Sequence, residues 1–303
     1  RSPEPAGVSP MARALEKLQD EARGESPVLL WGEPGAGKEW CAVQLHEGSP
    51  RRAGPKVTLH LSAIPAELRE GELFGTPARA GRLEQARGGT LFLDDLDQLS
   101  LAAQAALAEA LETGRWLRTG DARACALDTR LVAATAADPS GLAASGKLHE
   151  RLWSKLEAHR IRLPALRERR DEIPSLARAF AAAWARAHGR PEPTFSSAAL
   201  ERLGAHTWPG NVRELRETVE KLLETHQGPE IAADALPAAP SARNELRIPV
   251  GTRIKEVERE MIVRTLDANG GNKNRTAKQL GISRRSLYNK LERYRIGLPA
   301  KEG

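Results

Sequence analysis

The fold is decided by the stretch Val28-Leu29-Leu30-Trp31-Gly32-Glu33-Pro34-Gly35-Ala36-Gly37-Lys38-Glu39. An apolar run predicts a strand, a glycine-rich loop follows it, and Trp40 to Leu45 favour a helix. In this context glycines let backbone N–H groups converge on phosphate oxygens, and the helix N-terminus adds partial positive charge. We therefore expect residues 32–39 to bind a nucleotide, with Lys38 reaching its outer phosphates. The alternative, a glycine-rich turn with a surface lysine, does not explain the strand and helix on either side.

A second strand ends in two carboxylates. Gly88-Gly89-Thr90-Leu91-Phe92-Leu93 is followed by Asp94 and Asp95. Carboxylates at a strand end beside a phosphate loop hold the water shell of magnesium and polarise an attacking water. The catalytic candidates are therefore Lys38, Asp94 and Asp95, and Asp94 is the expected magnesium ligand, acting through water. One position departs from the general pattern, because Glu39 stands where a Ser or Thr hydroxyl would contact magnesium.

Around these motifs, short apolar runs alternate with helical stretches. The runs predict strands, and the Ala- and Leu-rich stretches Met11 to Glu21 and Leu101 to Thr113 predict helices. Such alternation indicates an α/β fold with a parallel sheet covered by helices on both faces. The predicted strands are Pro27 to Trp31, Lys56 to Leu61, Thr90 to Leu93 and Thr129 to Ala134.

Composition changes along the chain predict four regions. Residues 1–165 form the α/β nucleotide-binding part, and 166–227 are expected to form a small helical domain. Residues 228–251 contain four prolines among alanines with little periodicity, which is typical of a linker. Residues 252–303 return to a helical pattern and are expected to form a separate all-α domain.

The C-terminal region carries the basic excess of the chain. The formal net charge is +6, and from Thr252 onward there are 13 Lys and Arg residues against 6 acidic ones. Three helices are predicted, from Arg253 to Leu266, Asn274 to Leu280 and Arg284 to Tyr294. A glycine turn at Gly281 separates the last two, which is the pattern of a helix-turn-helix. A solvated charged face is the alternative, but a charge of one sign in a confined region favours nucleic-acid binding.

On the third of these helices one face is expected to be buried and the other to contact double-stranded DNA. Leu287, Leu291 and Tyr294 share the inward face. The outward side chains are expected to reach base edges and phosphates. They are Arg284, Arg285, Ser286, Asn289, Lys290 and Arg293.

Other features restrict the class of protein. Cys41 and Cys125 are too few for a disulfide framework, and no apolar run approaches the roughly 20 residues that span a bilayer. A cytoplasmic protein with no membrane partner is expected. Since the sequence begins at Arg1, we expect a further segment upstream. Four histidines have no spacing of metal-ligand type, and no metal beyond magnesium is proposed; they are His46, His60, His149 and His159.

These motifs resemble those of a known family. Five segments, in this order along the chain, are similar to signature segments of the AAA+ domain of bacterial enhancer-binding proteins, the sigma-54 activators. They are Gly32 to Glu39, Glu72-Leu73-Phe74-Gly75, Gly88 to Asp94, Leu163 to Arg169, and Trp208 to Leu215. The resemblance implies an AAA+ subdomain, a helical lid, and ATP or ADP with magnesium as ligands. The C-terminal region resembles the Fis-type end of the same family, which dimerises through its first helix and implies an inverted-repeat target.

The chain departs from that family at the contact loop. In the family, Glu-Leu-Phe-Gly precedes a loop with the sequence GAFTGA, which touches the sigma factor and is moved by hydrolysis. Here Gly75 leads through Thr76-Pro77-Ala78-Arg79-Ala80 directly into Gly81. We therefore expect no sigma-54 remodelling.

Several catalytic positions of the family are also changed. Asp95 stands for a glutamate base, His60 for the asparagine that restrains it, and Ala136 for the asparagine that senses the terminal phosphate. His149 and Lys155 stand where two arginines reach a neighbouring subunit's nucleotide. Lysine lacks the planar guanidinium fork, and histidine is largely neutral at pH 7. Arg213 keeps the family's position for contacting the nucleotide from the lid, so binding is expected to persist while hydrolysis is weak or absent.

The resulting expectation is a DNA-binding transcription regulator that is at least a dimer, binds ATP or ADP and acts without sigma-54. The alternative is an active AAA+ ATPase that remodels sigma-54 RNA polymerase, with the missing loop and fingers supplied by a partner in a mixed ring. A metabolic P-loop kinase is disfavoured because a DNA-reading region is attached.

Overall fold

The described strands form one five-stranded sheet and three two-stranded sheets. The computed structural model describes residues 9–226, 228–236, 253–269, 272–294 and 296. The strands there are β1 (Val28–Trp31), β2 (Lys56–His60), β3 (Gly75–Thr76), β4 (Arg79–Ala80), β5 (Thr90–Asp94), β6 (Arg115–Leu117), β7 (Ala124–Ala126), β8 (Arg130–Thr135), β9 (Arg160–Arg162), β10 (Thr194–Phe195) and β11 (Glu230–Ile231).

Helices occupy most of the chain between the strands. They are α1 (Pro10–Ala22), α2 (Lys38–Glu47), α3 (Arg69–Phe74), α4 (Arg82–Gln85), α5 (Leu101–Thr113), α6 (Pro139–Ala144), α7 (Glu150–Leu156), α8 (Ile173–Ala187), α9 (Ser197–Ala205), α10 (Asn211–Thr225), α11 (Ile254–Ala268), α12 (Lys273–Gln279) and α13 (Arg284–Arg293). Several helices are capped at their N-termini by the side chain of the residue before the first turn. The Ser9 hydroxyl accepts from the N–H of Ala12 at 3.1 Å to cap α1, and Ser100 does the same for α5.

Five parallel strands form the main sheet, in the order β2-β5-β8-β1-β9. This confirms the predicted α/β fold class and the four predicted strands. The fifth strand, β9, was not predicted from the sequence. It pairs with β1, where Leu30 lies opposite Ile161. Because all carboxyl ends lie at one edge, the loop after β1 and the acids after β5 are brought to the same side of the sheet.

The hydrophobic core lies on both faces of this sheet, because alternate strand residues point to opposite faces. Leu29, Leu91 and Leu131 pack with α3, α5 and α7 on one face. Val28, Phe92, Val132 and Ala134 pack with α1 and α2 on the other. Near-continuous apolar strands are what a parallel sheet buried on both faces requires.

A small helical lid follows the sheet. Helices α8 and α10 pack against each other, and Leu215, Val219 and Leu223 form the buried stripe of α10. The expected linker, 228–251, is structured at its start. There β11 pairs in parallel with β10, Ile231 is fully buried and residues 233–235 form a short 3-10 helix, so this part of the predicted linker has regular structure. Residues 237–251 lie outside the described part of the chain.

The C-terminal helices form a separate unit. Ile262, Ala277, Leu287 and Leu291 make its core, with Leu266, Leu280 and Tyr294 packed around them. Gly281 has a φ of +67° in the turn between α12 and α13, and the Ser283 hydroxyl caps α13 by accepting from the N–H of Ser286 at 3.1 Å. The predicted helix-turn-helix is therefore present, with helix ends shifted by one or two residues from those predicted.

No helix in the described ranges has the length and apolar character needed to cross a membrane.

Candidate nucleotide site and DNA-binding surface

The phosphate loop joins β1 to α2, as predicted. Gly35 and Gly37 have φ values of +75° and +106°, a region of backbone conformation that favours glycine. A Cβ at Gly35 would lie 2.1 Å from the carbonyl oxygen of Gly210, so a side chain there has no room. The loop residues Gly32, Glu33, Pro34 and Ala36 are thus held in a turn that packs closely against the lid, whereas Glu39 lies in the first turn of α2 with its side chain exposed.

Lys38 begins α2 and its side chain points back over the loop. Its ammonium donates to the carbonyl oxygens of Gly32 at 2.8 Å and Glu33 at 3.3 Å, and the residue is 8% exposed. Burial lowers the pKa of Lys38, the charges of Asp94 and Asp95 raise it, and Arg213 lowers it again. The loop lysine therefore lies within electrostatic range of both acids and of the lid arginine that the sequence singled out.

The two acids at the end of β5 have different surroundings. Asp94 accepts from the backbone N–H of Asp95 at 3.0 Å, and its other carboxylate oxygen lies 3.4 Å from Nδ1 of His60. Asp95 adopts a left-handed backbone conformation with φ +59°. A third carboxylate, Asp97, was not anticipated; it accepts from the hydroxyl of Thr135 at 2.7 Å. Ala136 follows Thr135 and is exposed.

His149 and Lys155 lie on α7 or at its start. Nδ1 of His149 accepts from the backbone N–H of Arg151 at 3.3 Å, so this ring nitrogen acts as a helix cap. A nitrogen that accepts a hydrogen bond carries no proton of its own. Lys155 lies 3.7 Å from a carboxylate oxygen of Glu112, whose other oxygen binds Arg151 at 2.7 Å. The side chains of His149 and Lys155 are thus both engaged by residues of their own chain.

Three residues at the lid boundary were missed by the sequence analysis as functional candidates. Asn211 is fully buried and bonds both the loop and the segment before the lid. Arg167 binds Glu33 through two nitrogens, at 2.7 and 2.5 Å, and Arg169 donates to the carbonyl oxygen of Ala36 at 2.8 Å. All three lie in segments that resemble signature segments of the family, Leu163 to Arg169 and Trp208 to Leu215, and this resemblance could have indicated a functional role.

The DNA-binding candidates lie on α13. Arg284, Arg285, Asn289 and Arg293 are exposed, and Ser286 is half-buried. Leu287 and Leu291 are buried, as the helical spacing predicted. Tyr288 is also exposed and lies 4.9 Å from the ammonium of Lys273, as a cation–π pair. The outward row therefore remains available to a partner.

Lys290 differs from its neighbours on α13. Its ammonium forms an ion pair with Glu258 of α11, and the hydroxyl of Tyr294 donates to the same carboxylate. These two bonds, Lys290 first, lower the pKa of Glu258. Lys290 thus braces α13 against α11 instead of projecting freely with the outward row, which the sequence did not anticipate.

A metal site requires a cluster of ligand side chains, and a reactive thiol requires a low pKa. Within the described ranges no cluster of three or more His, Cys, Asp or Glu side chains is arranged to hold a metal ion. Cys41 is buried on α2, and burial raises the pKa of its thiol to about 12. A thiol with such a pKa is unreactive at neutral pH.

Family models match the chain in three consecutive segments. Residues 7–162 match the sigma-54 interaction domain, 167–248 the AAA+ ATPase lid domain, and 253–294 the bacterial regulatory protein, Fis family.

Two related transcriptional regulatory proteins support the same family assignment. The transcriptional regulatory protein ZraR of Escherichia coli is 36% identical over 302 residues, covering 95% of this chain and 68% of ZraR. The C4-dicarboxylate transport transcriptional regulatory protein DctD of Rhizobium meliloti is 36% identical over 295 residues, covering 94% of this chain and 63% of DctD.

Solved structures give the same result for the fold. The crystal structure of NtrX from Brucella abortus in complex with ATP matches with a TM-score of 0.73 and 32% identity, over 97% of this chain and 70% of that one. Its complex with ADP matches equally, with a TM-score of 0.73 and 31% identity. The chain therefore belongs to the sigma-54 activator-type, enhancer-binding family of transcription regulators, with an AAA+ domain, its lid and a Fis-type helix-turn-helix.

Proposed function

We propose that this chain is a DNA-binding transcription regulator whose AAA+ domain binds ATP or ADP as a structural or sensing ligand, with weak or absent hydrolysis and without using sigma-54. The observation that carries nucleotide binding is the position of Lys38 in the phosphate loop, close enough to Asp94, Asp95 and Arg213 for their charges to shift its pKa. Arg213 is exposed on the lid and available to a ligand. The ATP and ADP complexes of NtrX support the same ligand class.

For magnesium, the candidate ligand is Asp94, acting through water. Magnesium at nucleotide sites retains several waters and binds one or two carboxylates together with phosphate oxygens. Asp94 fits this use because it ends β5 beside the phosphate loop and its side chain is about 20% exposed. When bound, the ion would neutralise phosphate charge, while Lys38 and the loop N–H groups orient the phosphates.

Weak hydrolysis is proposed from the groups around that site. Asp95, in the place of the family's catalytic glutamate, has a side chain one methylene shorter and starts from a left-handed backbone position. A general base must lie within hydrogen-bond reach of its water, about 2.6–3.2 Å. The exposed methyl of Ala136 has no polar atom with which to contact a phosphate. These positions are proposed as impaired catalytic groups, and they leave binding by Lys38 intact.

The inter-subunit fingers are proposed to be degraded as well. His149 caps its own helix and Lys155 pairs with Glu112. An arginine finger in trans contributes about 10³ to 10⁵ in rate, and neither residue offers its planar fork. We expect ring assembly on ATP to be weaker than in the family for the same reason. Stable hexamers in light scattering on ATP addition would count against this part.

Independence from sigma-54 is proposed because a short hairpin follows Glu72-Leu73-Phe74, where the family's contact loop would be expected. Gly75 pairs with Ala80 and Thr76 with Arg79, so only Pro77 and Ala78 form the tip. The N–H of Thr119 donates to the carbonyl oxygen of Gly75 at 2.9 Å, which ties this hairpin to the loop between β6 and β7. A hairpin of this length has no segment that could project to a sigma factor.

The alternative function is an active ATPase that remodels sigma-54 RNA polymerase in a mixed ring. Open-complex formation distinguishes the two, using purified sigma-54 polymerase and a loop-bearing member of the family as the positive control. The proposal expects no open complexes from this chain alone, and robust formation would refute it. Formation only after a second, loop-bearing subunit is added would favour the mixed ring.

The DNA-binding part is proposed to act as a dimer on an inverted repeat. Ile254 and Met261 on α11 are 85% and 49% exposed, which supports a dimer contact through this helix. Arg285 and Asn289 are proposed to read base edges, and Arg284, Ser286 and Arg293 to position the helix on the backbone. Lys290 is proposed to contribute through its ion pair with Glu258. The domain limits 1–165, 166–227, 228–251 and 252–303 are proposed with the amendment that residues 230–235 pack with the lid.

A further inference from the structure

Asn211 occupies an unusual position at the first residue of α10. It has a φ of +56° and is fully buried, and a non-glycine residue in this conformation needs surrounding contacts to hold it. Its carbonyl oxygen accepts from the N–H of Leu166 at 2.8 Å. Its amide donates to the carbonyl oxygen of Pro34 at 3.0 Å and to a carboxylate oxygen of Glu33 at 3.2 Å. One side chain therefore joins the lid helix, the segment before the lid and the phosphate loop.

Glu33 is held from a second side. Its two carboxylate oxygens accept hydrogen bonds from the two terminal guanidinium nitrogens of Arg167, in the bidentate arrangement that fixes orientation as well as distance. Hydrogen bonding to Glu33 raises the pKa of Arg167, and the negative charge of Glu33 raises it further. The second residue of the phosphate loop is thus tied to residues more than 130 positions later in the chain.

Backbone contacts continue the same joint. The N–H of Val212 donates to the carbonyl oxygen of Gly35 at 3.0 Å, and Gly35 has no room for a side chain against Gly210. Arg169, 4% exposed, donates to the carbonyl oxygen of Ala36. Two residues beyond Asn211 lies Arg213, whose charge acts on Lys38.

We propose that Asn211 is a positioning residue, which ties the lid to the phosphate loop and thereby sets the place of Arg213 relative to Lys38. Arg167 supports the joint by holding Glu33. The part played by Arg213 rests on the proposed nucleotide binding, whereas the joint itself can be measured without nucleotide. Loss of the Asn211 side chain removes its hydrogen bonds to the phosphate loop and makes the loop more mobile. The position of Arg213 relative to Lys38 then changes as a consequence.

The joint is tested by hydrogen exchange on the full chain without nucleotide, followed in peptides covering residues 32–40. Asn211→Gly keeps the left-handed backbone accessible and removes the side-chain hydrogen bonds to Leu166, Pro34 and Glu33. We expect exchange in these peptides to become about tenfold faster, as for the loss of buried bonds to a charged group. Val219→Ala is the matched control, since Val219 is buried on the same helix. It should lower the melting temperature and leave the exchange of residues 32–40 unchanged.

A second variant guards against misfolding of the first. Arg167→Lys retains the charge beside Glu33 but cannot bind both carboxylate oxygens in a planar fork. It should also accelerate exchange in residues 32–40. Unchanged exchange in Asn211→Gly or, if that variant does not fold, in Arg167→Lys would overturn the inference.

The role of Arg213 is tested by a double-mutant cycle with ATP affinity as the readout. Asn211→Gly and Arg213→Ala should each weaken binding about tenfold, and the double variant should bind no more weakly than Arg213→Ala alone. Additive losses would overturn the placement of Arg213 by Asn211. If the parent chain binds no ATP, the proposed function fails and the exchange experiment alone decides whether the joint exists.

Discussion

The ammonium of Lys38 lies 2.8 Å from the carbonyl oxygen of Gly32, at the start of the same loop. The lysine thus donates to loop carbonyl oxygens. A negatively charged phosphate bound here would replace these carbonyls as the acceptor. We expect Lys38→Ala to abolish measurable ATP and ADP binding in calorimetry, because it removes the one cation inside the loop. The control is Lys17→Ala, a lysine of α1 whose ammonium donates to the carbonyl oxygen of Ala158 at 3.5 Å and lies outside the loop. Equal binding by Lys38→Ala and the parent would exclude this loop as the site.

A second prediction concerns stability and Arg130, at the first position of β8. Arg130 is 2% exposed, and its guanidinium donates to the carbonyl oxygens of Glu21, Ala22, Ser26 and Leu45. Replacement by methionine leaves several of these acceptors without partners, at about 1–3 kcal/mol for each buried group. We expect Arg130→Met to lower the free energy of unfolding by about 3 kcal/mol in urea titrations.

The matched control for this experiment is Arg52→Met, because Arg52 is exposed. Exposed substitutions of this kind change stability by about 0.5 kcal/mol or less. If both variants lose the same amount, the buried guanidinium does not hold α1 and α2 to the sheet.

Stability should also depend on pH through His46. Its Nδ1 lies 2.9 Å from the hydroxyl of Thr90, and burial, followed by the charge of Lys56, lowers the pKa of His46. Since the unfolded chain binds the proton more readily, stability is full above the ordinary pKa of about 6.5 and is lost as the pH falls through the lowered one. His46→Gln removes this titration. The stability difference between parent and variant should shrink between pH 8 and pH 5, as followed by thermal unfolding, and a constant difference would contradict the assignment.

Local signals made much of this structure predictable. The glycine spacing of residues 32–37 and the apolar strand before them determine a turn that few other folds use, so the loop and Lys38 were identified directly. The strand β9 was missed because Arg160–Arg162 contains a single apolar residue, Ile161, and so has no periodicity to detect. It forms because Ile161 completes the core beside β1.

Contacts between distant residues could not be predicted in this way. Asn211 bonds Glu33 across 178 positions, and nothing in either neighbourhood indicates the partner. The helical spacing of α13 correctly assigned Leu287 and Leu291 to the core. It could not show that Glu258, 32 positions earlier, would bind Lys290 and withdraw it from the outward row.

The DNA-binding surface yields a prediction about specificity. Arg285 is exposed in the first turn of α13, where side chains reach base edges. Arg285→Ala should cost about 1–3 kcal/mol on a selected operator and much less on a scrambled duplex, so sequence preference is relaxed. Binding titrations on both duplexes measure this. Equal losses on the two would mean that Arg285 contacts only the backbone.

Arg293 provides the matched comparison, since it is exposed in the last turn of the same helix. We expect Arg293→Ala to weaken binding to both duplexes alike and to flatten the salt dependence by about one unit, as for a phosphate contact. A loss confined to the operator would assign base reading to Arg293 instead.

Nucleotide binding without efficient turnover can be measured in one preparation, by steady-state ATP hydrolysis beside ATP affinity. We expect saturable binding that requires Lys38, with turnover far below that of a family member carrying both arginine fingers and the glutamate base. Asp94→Ala should therefore have little hydrolysis left to remove. Vigorous hydrolysis by the parent chain that Asp94→Ala abolishes would show that the AAA+ domain is an active ATPase and not a nucleotide-binding module.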